Sequence, residues 1–440
     1  MAPSTTQTVL TAVAAIVVGK MVWTRIPSWL KVGKKKSSQD VNDDLTNPLT
    51  ILGKVNDVLV TARNLRHDVI PDDMPFYTLQ YSFMSIMHLM KEINHNHPNW
   101  RESFFSKEGR EVQEFELENL VKYFDFADKA YEPSSLEVIS WLKPLGYKLI
   151  RHDNGTEPGR IGHFMAVHHG QKQIVLAIKG TSDLSNVLTS TIGKPVAHSI
   201  RDGEKIQCHE GMYVAAKTVL DDTLHLLQNF FIPQKYKLIV CGHSLGAGVS
   251  SLIGIFLKQQ LPGLDMHIYG YGTPPCCSSE SSLASQSYIT SVINNNDFVP
   301  RVTLTNLRTM YKLLMFIDKK LKEEDLSPDS LQAAKNYLAD LMAIDTDTLL
   351  TPGELTGFFN KEFDTIKNES LDGIELHVPG RIVSIWNHTK DPSIIGGKVT
   401  DGASQVLQKF FVDKNILSDH KRDNYRQNLS TLLEQAANTI

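Results

Sequence analysis

The chain has 440 residues, 41% of them hydrophobic, which is enough for a large core and for more than one structural unit. Its net charge of −4 excludes the basic excess that a nucleic-acid-binding chain carries. Four cysteines, Cys208, Cys241, Cys276 and Cys277, lack the spacing of a zinc site or a disulfide framework, so they read as reduced thiols of a cytosol-facing protein. Four Asn-x-Ser/Thr triplets, at Asn154, Asn368, Asn387 and Asn428, point the other way, but such triplets are frequent by chance.

Residues 8–19 are uncharged and apolar, and Arg25, Lys31, Lys34, Lys35 and Lys36 follow before the first acid, Asp40. An apolar segment with a basic, Trp-bearing flank predicts a membrane anchor with its lysines on the cytoplasmic side. The segment is short against the roughly 20 residues of a helical span, and Lys20 has to snorkel. A cleaved secretory signal carries its charge ahead of the apolar run, and none precedes this one. An organelle-targeting peptide is the alternative for residues 1–38. Residues 39–110 read as a linker followed by a helical N-terminal region, and residues 111–440 as the main unit.

Within 114–131, Phe115, Leu117, Leu120, Val121, Phe124 and Phe126 recur at roughly helical spacing and predict a core-facing helix. Short apolar runs at 147–151, 163–169 and 173–180 then read as strands, followed by a helix over about 211–229. The run 237–243 (KLIVCGH) is nearly continuous in apolar residues, as in a strand covered on both faces of a parallel sheet. A helix from 245, strands at 267–272 and 288–295, a charged helical insert over 304–373, a strand at 381–387 and a last helix at 418–435 complete the order. Strand alternating with helix predicts an α/β fold with a mainly parallel central sheet.

Gly242-His243-Ser244-Leu245-Gly246 lies between that buried strand and an amphipathic helix whose stripe is Val249, Leu252, Ile253, Phe256 and Leu257. This is the context of a nucleophile elbow, in which a sharp turn lifts the serine hydroxyl above the sheet. The glycines leave room for the crossing strand and helix, and the helix N-terminus aims free N–H groups at the reacting centre, that of Leu245 first. The motif therefore predicts an α/β-hydrolase with Ser244 as nucleophile.

With these flanks the sequence resembles the class 3 (fungal-type) lipases, and among them the sn-1 diacylglycerol lipases, from roughly residue 115 to 425. The fold orders its triad serine, acid, histidine. The segment Asn294-Asn295-Asn296-Asp297-Phe298-Val299-Pro300 follows a strand and resembles the family's Asp-hydrophobic-Val-Pro, which makes Asp297 the candidate acid. Asp265 is the rival, at the wrong end of its strand. Asp419-His420 resembles the family's Asp-His near the C-terminus, which makes His420 the candidate base, with His388 as rival and His377 behind it. Lys179-Gly180-Thr181 resembles the family's oxyanion loop, so the resemblance assigns the N–H groups of Thr181 and Leu245 to the oxyanion hole. His243 is read as a packing residue.

Residues 183–200, with Leu184, Val187, Leu188 and Ile192, match the family's lid position. The insert 304–373 resembles a regulatory insertion; Met310, Leu313, Leu314 and Ile317 form one apolar helical face in it, and Thr351-Pro352-Gly353-Glu354 reads as a helix start. Asp345 and Asp347 only faintly resemble a calcium loop, whose glycine and spacing are missing. The implied reaction is serine-dependent hydrolysis of glycerolipid acyl esters, diacylglycerol being favoured, at a lipid surface, without cofactor or metal. Phospholipase A1 or galactolipase activity is the alternative within the family, acyl transfer to an alcohol another, and a non-catalytic lipid-binding or signalling protein on the same scaffold the alternative of another class.

Overall fold

A computed structural model describes residues 48–65, 99–156, 160–181, 195–199, 205–323, 375–400, 404–407 and 415–438. The segment 1–38, the named apolar residues of the lid segment, Asp345, Asp347 and Thr351 all lie outside these residues.

Eleven strands are described: β1 (Arg110–Glu111), β2 (Lys148–Asp153), β3 (His163–His168), β4 (Gln173–Ile178), β5 (Pro195–Ser199), β6 (Lys205–His209), β7 (Lys237–His243), β8 (Met266–Tyr271), β9 (Ile289–Asn294), β10 (Arg381–Asn387) and β11 (Ile395–Thr400). Nine of them form one sheet in the order β1-β11-β10-β9-β8-β7-β4-β3-β2. Its centre, β4-β7-β8-β9-β10, is parallel, and the hairpins β2-β3-β4 and β10-β11, with β1, add antiparallel edges.

Strand β7 shows why the sheet needs cover on both faces. Leu238 and Val240 point into a core shared with the helices Glu210–Leu226 and Leu245–Gln260. Ile239 and Cys241, one residue out of phase, point into a second core under the helices Glu114–Lys129 and Arg422–Ala437. The period of two in a strand turns a continuous apolar run into two buried faces. All four cysteines are buried free thiols.

One reading of the sequence is corrected, and two strands are added to it. Phe115, counted on the core face of its helix, is 62% exposed in the first turn, while Leu117, Leu120, Phe124 and Phe126 are buried. The end of the lid segment, Pro195–Ser199, is a strand paired with Lys205–His209. The strand Ile395–Thr400 is not among the strands read from the sequence; it contains Gly396 and Gly397, and glycine weakens a strand. A side chain on Gly396 would strike the Trp386 ring, and one on Gly397 would strike Leu432, so these glycines let neighbours cross the strand closely.

The insert begins as the helix Leu304–Glu323, which packs against the helix Pro48–Leu65. Leu307, Met310 and Leu314 are buried on the first, and Ile51, Val55, Val58 and Leu59 on the second. Among the described residues no helix is long and apolar enough to cross a membrane. The triplet asparagine Asn428 is buried and bonded to Asn294 and Asn387, so its side chain is not open to a glycan in this fold.

Candidate active site

The site forms at the C-terminal ends of the parallel strands, where the elbow leaves β7. Ser244 has φ 61° and ψ −129°, a conformation costly for a residue with a side chain, roughly 1–3 kcal/mol. The turn is held by Ser244 N–H donating to Tyr271 C=O of β8 (2.8 Å) and by Ala247 N–H donating to Ser244 C=O (2.9 Å). Gly242 and Gly246 make the crossing possible. A Cβ on Gly242 would lie 2.4 Å from the Gly246 carbonyl group, and one on Gly246 would lie 2.3 Å from the Ile178 carbonyl oxygen.

Three side chains meet at this point. His420 Nε2 is 2.8 Å from Ser244 Oγ, and His420 Nδ1 is 2.9 Å from each oxygen of the Asp297 carboxylate. An ionised carboxylate only accepts, so Nδ1 carries the proton and Nε2 offers its lone pair to the serine hydroxyl. Ser244 and Asp297 have no solvent exposure and His420 has 5%, so the pairings act in a dry environment. Among the described residues neither rival joins this group. His388 lies beside Glu102 (3.6 Å), and Asp265 lies 4.0 Å from Lys237 at the N-terminal ends of the strands.

The carboxylate has further partners that the sequence did not reveal. Tyr425 O–H donates to Asp297 Oδ2 (2.6 Å) and Val299 N–H to Oδ1 (2.9 Å). Burial, with Asp297 close by, holds the Tyr425 phenol far above its ordinary pKa, so it stays a donor. The turn that carries the acid is closed from behind by buried Arg301, which donates to the carbonyls of Asp297 (2.7 Å), Asn295 (3.0 Å) and Val406 (3.2 Å). Asp419 ties this turn to the base: its carboxylate accepts from Asn296 N–H (3.1 Å), and its carbonyl from Asn294 Nδ2 (2.9 Å). Asn295, Asn387 and Asn428 extend the amide network behind it. The signal in the sequence was the unusual run of three asparagines ahead of the acid.

His243 proves more than packing. It is fully enclosed, and burial first, then His420 nearby, depress its pKa well below the ordinary range, so it is neutral. Its Nε2 lies 3.0 Å from the His420 carbonyl, and its Nδ1 3.1 Å from the Tyr131 hydroxyl.

Leu245 is the first residue of the elbow helix, so its N–H has no intrahelical acceptor. Thr181 follows β4, whose last residues press against Gly246, and a Cβ on Gly180 would lie 2.4 Å from the His243 carbonyl oxygen. The two candidate oxyanion donors therefore sit on segments in direct contact with the elbow.

Asp153, His163 and Asp222 also bring potential metal-ligating atoms within 4.8 Å of one another. Their carboxylate oxygens are already engaged. Arg160 Nε donates to Asp153 (2.8 Å) and its guanidinium also pairs with Asp222; Arg151 takes the other Asp222 oxygen (3.0 Å), and Gly155 N–H the other Asp153 oxygen (2.9 Å). The group is an ion-pair network fastening the β2–β3 hairpin to the helix Glu210–Leu226.

A parallel sheet covered on both faces, with a serine raised on a strand-to-helix elbow, is the α/β-hydrolase fold. Residues 175–307, which hold Gly180, Thr181, the elbow and Asp297, match the model of the lipase (class 3) family. Among curated proteins, the chain is 28% identical to diacylglycerol lipase-beta of Mus musculus over 159 residues, 34% of this chain and 23% of that protein. It is 29% identical to diacylglycerol lipase-alpha of Homo sapiens over 170 residues, 34% of this chain and 15% of that protein. The match thus spans less than a quarter of either relative. Among solved structures, a lipase from Rhizopus microsporus var. chinensis aligns at 24% identity with a TM-score of 0.38, over 44% of this chain and 70% of that one.

Proposed function

We propose that this chain is a serine-dependent lipase that hydrolyses acyl esters of glycerolipids, with diacylglycerol the favoured substrate. The observation that carries the reading is the unbroken hydrogen-bond chain from Ser244 Oγ through His420 to Asp297. A serine hydroxyl is a weak nucleophile until a base takes its proton, and the base works only when oriented.

Ser244 Oγ attacks the ester carbonyl while His420 Nε2 takes its proton. The carbonyl oxygen becomes an oxyanion, held by the N–H groups of Leu245 and Thr181. The imidazolium, stabilised by Asp297, gives its proton to the departing alcohol as the carbon–oxygen bond breaks. Water, deprotonated by His420, then attacks the acyl-enzyme, and the fatty acid leaves as the proton returns to Ser244.

The class 3 lipase segment and the names of the relatives, two of them diacylglycerol lipases, support the choice of substrate. Ser244 has no solvent exposure, and the reading carries a lid at 183–200, the position that the resemblance implies. The apolar and then basic sequence of residues 1–38 supports attachment to a membrane, with the catalytic part on the cytosolic side.

The test is release of fatty acid by the full chain from vesicles of diacylglycerol, triacylglycerol, phosphatidylcholine or galactolipid. The expected order places diacylglycerol first. A phospholipid or galactolipid in first place moves the assignment to phospholipase A1 or galactolipase. Absence of hydrolysis by folded protein on every lipid supports the lipid-binding scaffold instead.

A further inference from the structure

We infer that Tyr131 and His243 are positioning residues that lock the oxyanion loop and the general base into one register. The inference rests on the serine-hydrolase reading of Ser244, His420 and Asp297, and extends it to two residues outside the triad.

The direction of each hydrogen bond follows from what each group can do. The His420 carbonyl only accepts, so His243 Nε2 carries the proton in the 3.0 Å contact between them. A neutral imidazole with its proton on Nε2 must accept at Nδ1, and the Tyr131 hydroxyl, 3.1 Å away, donates there. The Tyr131 hydroxyl also packs closely against the candidate oxyanion loop: a Cβ on Gly180 would lie 2.2 Å from its oxygen. A single polarised line therefore runs from Tyr131 O–H to His243 Nδ1, and from His243 Nε2–H to the His420 carbonyl, with Gly180 packed against its start. Gly180 immediately precedes Thr181, a proposed oxyanion donor, and His420 is the proposed base. The line joins the two parts of the site that must act together on one carbonyl group, and it passes behind the nucleophile through the residue next to it.

The brace is itself fixed. The Arg422 guanidinium lies 4.1 Å over the Tyr131 ring and pairs with Asp128, and Arg422 is two residues beyond His420. The rings of His243 and His420 lie 4.7 Å apart at a tilt of 33°. Asp419 fixes the short turn Ser418–His420 on one side, the turn's own bond from His420 N–H to Leu417 C=O is long at 3.3 Å, and His243 holds the His420 carbonyl on the other. A proton on His243 Nδ1 would face the Tyr131 hydroxyl as a second donor, and burial prevents it.

The test uses full-chain Tyr131→Phe, His243→Leu, His243→Gln, the Tyr131→Phe/His243→Leu double variant and Ser244→Ala. Three readouts are taken: kcat and KM on a soluble short-chain ester, the rate of covalent labelling by a fluorophosphonate, and the thermal midpoint. Label stoichiometry counts the competent sites. The expected result is a fall in kcat per labelled site of about 10- to 100-fold for Tyr131→Phe and for His243→Leu, with KM little changed, as small misplacements of reacting groups produce. His243→Gln, whose amide donates from Nε2 and accepts at Oε1, recovers most of the loss. The double variant is about as slow as the slower single one, because both act along one line.

Wild-type kcat per labelled site in both single variants overturns the inference, as does a loss seen only in the thermal midpoint, additive losses, or no recovery with glutamine. Where Tyr131→Phe does not fold, the leucine–glutamine comparison at His243 decides. Ser244→Ala separates the two levels. If it still labels and hydrolyses, the serine reading itself falls; if it is inert while the brace variants are normal, only the brace falls.

Discussion

Replacing Asp297 with asparagine is expected to lower kcat by about 1,000- to 10,000-fold while leaving the protein folded. The carboxylate accepts the His420 Nδ1 proton at 2.9 Å, the Tyr425 hydroxyl at 2.6 Å and the Val299 N–H at 2.9 Å. Asparagine has the same shape, so the turn, braced by Arg301 and the amide network, stays in place. Its amide has two orientations. In one, the NH2 group faces the Val299 N–H, donor against donor. In the other it faces Tyr425, whose hydroxyl must swing away to accept. His420 Nδ1 lies 2.9 Å from both positions, so in either orientation it meets the NH2 group as well as the oxygen, and the negative charge that stabilises the imidazolium is gone. The measurement is kcat on a soluble ester beside a circular dichroism spectrum. A loss of less than tenfold would mean that Asp297 is not the orienting acid.

The second large effect falls on the fold. Gly246→Val is expected to prevent formation of a stable native state, and Gly246→Ala to lower stability by about 1–3 kcal/mol, the usual cost of overpacking. A Cβ here would stand 2.3 Å from the Ile178 carbonyl oxygen and 2.9 Å from the Lys179 carbonyl group. These are backbone atoms of the central parallel sheet, and they cannot turn aside as a side-chain end can. Any yielding shifts the segment that leads to Thr181, so the alanine variant also loses activity. Denaturant unfolding of the alanine variant, and soluble yield of the valine variant, check this. A valine variant with wild-type stability would contradict the close crossing of elbow helix and strand β4.

The architecture was legible where one local rule governed a segment. Lys237–His243 and Arg381–Asn387 have the expected bounds because an apolar run between turn signals has few other uses. Ser244 was legible because its glycines, strand and helix are adjacent in sequence. What the sequence concealed depends on contacts between distant segments. Strand Ile395–Thr400 has no continuous apolar run to mark it, and only the fold shows Trp386 and Leu432 filling the space beside its glycines. Pro195–Ser199 is a strand through its pairing with Lys205–His209. Asp297 and His420 were proposed from chain order and short motifs, Asp419 standing in one of them, whereas the contacts that Tyr425, Arg301 and Tyr131 make around them are visible only in the fold. His243 looked like packing because it stands beside the nucleophile, and its polar role appears only with Tyr131 and His420 around it.

The most direct measurement of the central claim is mass-spectrometric mapping of a fluorophosphonate adduct on the full chain, with fatty-acid release from diacylglycerol followed in parallel for the natural sequence and Ser244→Ala. The account predicts one adduct, on Ser244, and loss of both adduct and lipid hydrolysis in the alanine variant. An adduct on another residue, or undiminished hydrolysis by Ser244→Ala, would contradict it.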